Sequence, residues 1–152
     1  MSELVSAAPP TGAVICETRH ERLLRTGRAA SRYLQGVFPF LGRGIYEPAP
    51  LNDALCYRVP RGRSAEVLYF RAGNLSDDLI YFALTANGAP IRYFPVGPKN
   101  DIHVPLAIVE AYGAGTRIEV ALAAPQGIAG TIVVDVGIVE SCASAAGEVS
   151  KQ

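Results

Sequence analysis

The chain is poor in the residues that carry most metal and nucleophile chemistry. It has two histidines, His20 and His103, three cysteines and a single methionine, Met1. A blue-copper centre asks for two His, a Cys and usually a Met. Here the only two imidazoles fall on different predicted elements, so ligand supply argues against a native transition-metal site. Cys16, Cys56 and Cys142 lie far apart, are odd in number and form no CxxC pair. Zinc, iron–sulfur and redox-dithiol sites lack their usual spacing, and a disulfide framework is not expected, which fits a reducing compartment. No cofactor is implied.

Other absences narrow the field further. Gly42, Gly44, Gly113, Gly115, Gly127 and Gly130 fall in strand connections, and none belongs to a GxGxxG or GxxxxGK[ST] phosphate cradle. No GxSxG nucleophile elbow occurs. The N-terminus, MSELVSAAPPTGAVICE, has neither the basic nor the long apolar region of a secretory signal. No uncharged apolar window approaches the ~18 residues of a membrane span. The expected setting is cytoplasmic.

What is present is enough to fold. In 152 residues, 49% are hydrophobic and 18% charged, a balance that suits one domain with a sizeable core. The net charge of zero is unevenly spread. Residues 17–63 hold nine arginines against Glu17, Glu21, Glu47 and Asp53, a balance of +5, whereas 64–152 hold five basic and nine acidic residues, a balance of −4. A basic half suits an acidic partner, nucleic acid or the chain's own acidic half.

The organisation reads as four stretches. Residues 1–16 and 142–152, rich in Ala, Ser, Pro and Gly, read as flexible tails. Residues 17–51 read as a basic helix followed by an apolar Pro/Gly-rich arm. Leu23, Gly27, Ala30 and Leu34 share a helical face over 17–35, with Arg19, Arg22, Arg25, Arg28 and Arg32 beside it. The arm 36–51 holds three prolines and three glycines together with Phe38, Phe40, Ile45 and Tyr46, apolar groups that must pack on something. Residues 52–141 read as a β-domain with strands at 53–59, 64–71, 79–86, 89–96, 101–109, 116–123 and 130–139. Turn residues separate strands that recur every ten to fifteen positions, which predicts an antiparallel β-sandwich of about seven strands, immunoglobulin-like or jelly-roll-like. Tyr-Phe recurs at 69, 81 and 93, but the flanks do not match and no internal repeat is implied.

The clearest local signal is LIYFALTANGAPIRYFPV. Asn87-Gly88 between apolar runs predicts a type I′ hairpin turn. A regular register from that turn sets Phe82 opposite Tyr93, and puts Tyr81, Ala83, Thr85, Arg92 and Phe94 on the outer face. Pro90 marks an edge strand. Farther along, Asp101, His103 and Pro105 oppose Ile102 and Val104. Thr131, Val133, Asp135 and Gly137 oppose Ile132, Val134, Val136 and Ile138, so both strands have one wetter face.

Four features are candidates for function. The arginines of 19–32 suit phosphate or carboxylate partners, though a solvated helix face paired to Glu17 and Glu21 is the plainer reading. Tyr81, Arg92 and Phe94 suit a small ligand or a carbohydrate. Asp101 and His103, two apart on a strand, have the makings of a hydrolase-type pair that a nearby serine or cysteine would complete, though no GxSxG elbow occurs and a solvent-facing polar pair on an edge strand is the plainer reading. Asn74, Asp77 and Asp78 offer oxygens to calcium, with a side-chain-capped turn as the simpler account. The leading expectation is a non-catalytic interaction or assembly module, an accessory subunit or shell protein, docking on another protein or on copies of itself through Arg19, Arg22, Arg25, Arg28, Arg32, Phe38, Phe40, Ile45 and Tyr46. Ligand or carbohydrate binding is the alternative, enzymatic hydrolysis a weaker one, and nucleic acid a less favoured partner.

Overall fold

The computed structural model describes residues 16–143. Residues 1–15 and 144–152, which hold most of the two expected tails, lie outside the described residues.

The chain begins with a short helix, α1 (Arg19–Arg25), and then runs through ten strand segments: β1 (Ala29–Leu41), β2 (Ala49–Pro50), β3 (Cys56–Arg58), β4 (Arg63–Asn74), β5 (Ile80–Ala86), β6 (Ala89–Val96), β7 (Asp101–Pro105), β8 (Ala111–Gly113), β9 (Arg117–Ala123) and β10 (Ala129–Cys142). Every pairing is antiparallel. The first sheet has the order β1-β10-β4-β7, with β8 also on β4; the second has β2-β9-β5-β6, with β3 also on β9. Taking β2 with β3 and β7 with β8 as broken single strands, this is the eight-row order of a jelly roll, the second of the two sandwich types the sequence suggested. The strand spacing shows only seven rows because β1 was not foreseen; β2 and β8, also unforeseen, extend rows already counted.

The strands set two ends. At the lower end lie α1, the start of β1 and the β3–β4, β5–β6 and β8–β9 connections. At the upper end lie the β1–β2, β4–β5, β6–β7 and β9–β10 connections.

Two expectations about residues 17–51 are corrected. The helix expected over 17–35 stops at Arg25. Its start is sealed by a capping box, with Thr18 and Glu21 each bonding the other's backbone N–H. Its end is marked by Gly27 in the left-handed region at φ 70°. The expected irregular arm is irregular chiefly over residues 42–48. Residues 29–41 form one thirteen-residue strand paired along its length with β10, and Leu34 and Phe40 enter the core at 5% and 6% exposure. Leu34 fits a period of two as well as one of 3.6, and a long partner strand decides between them, since tertiary pairing overrides weak helical propensity.

The core fills the space between the sheets with Phe70, Phe82, Ile80, Leu84, Ile118, Val120, Ile132, Val134, Val136 and Ile138, all at 1% exposure or less. Proline is placed by position in the sheet. The strands β1, β2, β6 and β7 carry Pro39, Pro50, Pro90, Pro95 and Pro105 and all lie at sheet edges, while the central strands β10, β4, β9 and β5 carry none. Proline has no N–H to give a ladder, so these residues blunt the open edges against further strand pairing.

The hairpin turn forms as expected, with Asn87 at φ 51° and Gly88 at φ 82°. The register beyond it does not. An irregularity between Leu84 and Thr85 sets Ala83 opposite Tyr93 and Phe82 opposite Phe94. One extra residue beside Pro90 flips every later side chain of β6 to the other face.

Candidate functional site: the outer face of the first sheet

The register of four strands builds a three-row face. The first row is Tyr33–Gly137–Tyr69–Pro105, the second Gln35–Asp135–Arg71–His103, and the third Val37–Val133–Gly73–Asp101. Because successive side chains alternate sides, these residues look outward while Leu34, Phe70, Ile102 and Val136 look in.

Gly137 shapes the first row. A Cβ there would lie 2.1 Å from the Tyr69 ring, so only glycine lets that ring lie down over the strand. Tyr33 stands on the other side of Gly137 at 56% exposure. The second row is polar and held in place. Tyr69 Oη donates to Asp135 Oδ1 at 3.2 Å, and Arg71 Nη2 donates to Asp135 Oδ2 at 3.0 Å. The Arg71 guanidinium also sits 5.7 Å from the Tyr69 ring centroid, within cation–π range. His103 meets the edge of the same ring, with centroids 6.1 Å apart at 90°. Burial, the Asp135 charge and the hydrogen bond to it push the Tyr69 phenol up, so it remains a donor. Arg71, Gly73, Asp101, His103, Val133 and Asp135 line an open depression of about 420 Å³.

The arrangement offers ring surface together with fixed donors and acceptors. It does not offer a triad: in its three rows, no serine or cysteine accompanies Asp101 and His103. Among the described residues, no group of three or more His, Cys, Asp or Glu side chains is placed to hold a metal ion. Asn74 is committed to structure instead. Its Nδ2 donates to the Asp78 and Gly97 carbonyls at 2.8 and 3.0 Å, and its Oδ1 accepts from Ser76 N and Oγ at 2.9 and 2.7 Å. This is the capped turn, here joining two upper-end loops.

The other anticipated residues do not gather at one site. Phe94 is 5% exposed and stacked on Phe70 at 4.1 Å. Tyr81 lies on the outer face of the second sheet beside Tyr93, with centroids 5.8 Å apart. Arg92 points the other way, toward Glu110 at 3.7 Å. The trio proposed from a regular hairpin register is therefore dispersed by the bulge.

The arginine stripe is dispersed as well. Arg19 and His20 both reach Glu66, Arg22 and Arg25 reach Glu17, and Arg32, now on a strand, reaches Glu140 at 3.3 Å. Of the apolar residues expected to meet a partner, Phe40 is buried, Phe38 and Ile45 are half-buried and Tyr46 is 93% exposed. Tyr33, Tyr69, Arg71 and Asp135 were not singled out from the sequence. The alternation around each was readable, but their meeting depends on which strands are neighbours.

No helix among the described residues is long and apolar enough to cross a membrane. No protein-family model matches the chain, and no curated protein matches it significantly. Among solved structures it is similar to the CBM36-1 domain of a multidomain xylanase from the hindgut metagenome of Trinervitermes trinervoides, at 14% identity and a TM-score of 0.45, over 78% of this chain and 99% of that one. At that level nothing about this chain's function is carried over from it.

Proposed function

We propose that the chain is a non-catalytic binding module that takes a carbohydrate on the outer face of its first sheet. The observation that carries this is the fixed cluster Tyr69–Asp135–Arg71 beside His103 and Tyr33. A sugar ring has an apolar C–H surface and a rim of hydroxyls. The tyrosine rings suit the first, while the Asp135 carboxylate and the remaining Arg71 donors suit the second, since ionised partners make the stronger hydrogen bonds. The side chains already hold one another, so little rotamer freedom remains to be lost on binding. The shallow depression leaves room for a chain to pass across rather than end in a pocket. A glycan array with the full chain, followed by calorimetry with the sugars it selects, tests this. Binding that falls about tenfold or more in Arg71→Ala supports the reading, and an array without binders ends it.

A second reading has one observation in its favour. Val37 and Leu41, at 64% and 68% exposure, continue the face past Tyr33 along β1. A protein partner would cover that strip. Leu41→Asp, outside the three rows of the candidate face, would then abolish the partner's binding and leave saccharide binding intact.

A further inference from the structure

The two ends of the sandwich carry opposite charge, and the geometry points to a use for them. We propose that copies of this chain associate head to tail, the lower end of one copy seated on the upper end of the next.

At the lower end, arginines stand over buried acids. Glu140, with 4% of its side chain exposed, takes Arg32 at 3.3 Å and Arg63 at 3.5 Å and also accepts from the Tyr57 hydroxyl. Glu119, at 9%, takes Arg117 at 3.4 Å. The guanidinium side chains remain between 39% and 51% exposed. Arg28, Arg58 and Arg61 have no ion-pair partner among the described residues. Among the described residues, six arginines over two carboxylates leave +4 on this surface. The charges of α1 do not cancel it, because Arg19, Arg22 and Arg25 are matched by Glu17, Glu21 and Glu66.

The upper end reverses the sign. Among the described residues, Glu47, Asp77, Asp78 and Asp101 face only Arg43 and Lys99 there, which leaves −2. The same end exposes Tyr46 at 93%, Leu79 at 53% and Leu75 at 49%. Apolar and tyrosine surface ringed by acids is a fit for arginines, whose planar heads both pair with carboxylates and stack on rings. The Asn74 network keeps the 75–79 and 97–100 loops in one arrangement, so the acidic end is pre-formed. Opposite ends of one molecule cannot make a two-fold dimer with each other. The contact is heterologous and passes from copy to copy. The edge prolines, meanwhile, disfavour side-by-side strand pairing. A stack of this kind would turn a weak binding face into an avid one, but the association does not depend on what that face binds.

Sedimentation velocity of the full chain at about 20 mM and about 500 mM salt reads the association directly, since exposed charges are screened at the higher value. Two charge-reversed proteins decide its polarity, Arg58→Glu with Arg61→Glu at the lower end and Glu47→Arg with Asp77→Arg at the upper. All four positions are exposed, so the folded far-UV spectrum is retained. The expected result is concentration-dependent growth of the wild type at low salt, monomers for each variant alone, and a one-to-one dimer that grows no further when the two are mixed, because each variant keeps one intact end. A wild type that stays monomeric at low salt, a wild-type dimer that stops at two, or association surviving in both variants would overturn the proposal. So would an oligonucleotide binding the lower end under conditions where copies do not associate, which would assign the arginines to a polyanion instead.

Discussion

The outer faces of the two sheets are built from the same pleat and used differently. On the first, Tyr33, Gln35, Arg71, His103 and Asp135 leave ring surface and polar groups open to solvent. On the second, Ala83, Ala121 and Ala123 lie side by side at 0%, 5% and 1% exposure, flanked by Pro50, Pro95 and the Tyr81–Tyr93 pair. Apart from the Tyr81 and Tyr93 hydroxyls, its polar groups are engaged: Thr85 Oγ1 donates to the Glu119 carbonyl at 3.2 Å and the Glu119 carboxylate takes Arg117. A surface with ring hydroxyls but no fixed charged group beside them has less to offer a ligand. Two aromatic rings on a sheet therefore do not by themselves make a recognition site. Adjacent polar groups that are fixed yet incompletely satisfied make the difference.

The largest effect expected concerns what holds both faces up. Deleting residues 1–50 would remove β1 and β2, and with them Leu34, Phe40 and thirteen paired positions on β10. Burying single side chains of that size is worth about 2–5 kcal/mol each, against a total stability of roughly 5–15 kcal/mol. The truncated chain should lose its cooperative thermal transition in near-UV circular dichroism. A truncated chain that still melts cooperatively would contradict the integral place of β1 in the first sheet.

Next come substitutions that set one face against the other. Arg71→Ala should weaken saccharide binding about tenfold or more, near 1.4 kcal/mol, whereas Tyr93→Ala on the second sheet should change it less than about twofold. Equal losses at both sites, read by calorimetry, would erase the distinction between the faces. Gly137→Ala is a subtler probe. The added methyl meets the movable Tyr69 ring rather than backbone, so the ring swings aside, affinity falls several-fold, and the midpoint of thermal unfolding shifts little. A large drop in that midpoint with unchanged affinity would mean that Gly137 serves packing alone.

The smallest effect is at the margin of the binding face. Burial pushes the Glu66 carboxyl up, but hydrogen bonds from His20 and Arg19 outweigh it and hold the group below its ordinary value of 4.5. A depressed carboxylate stabilises at pH above that value and loses its contribution as pH falls through the folded-state value. Since α1 buries no residue of its own, its amide resonances should move toward those of a free segment as the pH drops below the ordinary carboxylate value of 4.5. Glu66→Gln should show the free-segment shifts already at neutral pH and no acid transition. Matching acid transitions in both proteins would rule out this carboxylate as the anchor.

Local patterning carried much of the fold. The turn at Asn87-Gly88, the alternation of β7 and β10, and the sandwich class were all readable from residue order. What failed did so where a distant partner decides. Leu34 satisfied helical and strand periods alike, and β10, about a hundred positions away, settled the matter. The hairpin register failed at a single bulge beside Pro90, which moved Phe94 inward and Tyr93 outward and dissolved the anticipated ligand trio. The candidate site was legible only in fragments. His103 and Asp101 were noticed for the wrong neighbours, and Asp135 and Gly137 were seen to lie on a wetter face. Tyr69, Arg71 and Asp135 become a cluster only once β4 is known to lie between β10 and β7.

The most direct test is a titration of the 15N-labelled full chain with an oligosaccharide selected on the array, followed by amide shift. Perturbations concentrated at Tyr33, Gln35, Tyr69, Arg71, His103 and Asp135, and missing from β5 and β9, are the predicted result. Perturbations confined to the second sheet, or to the ends of the sandwich, would contradict it.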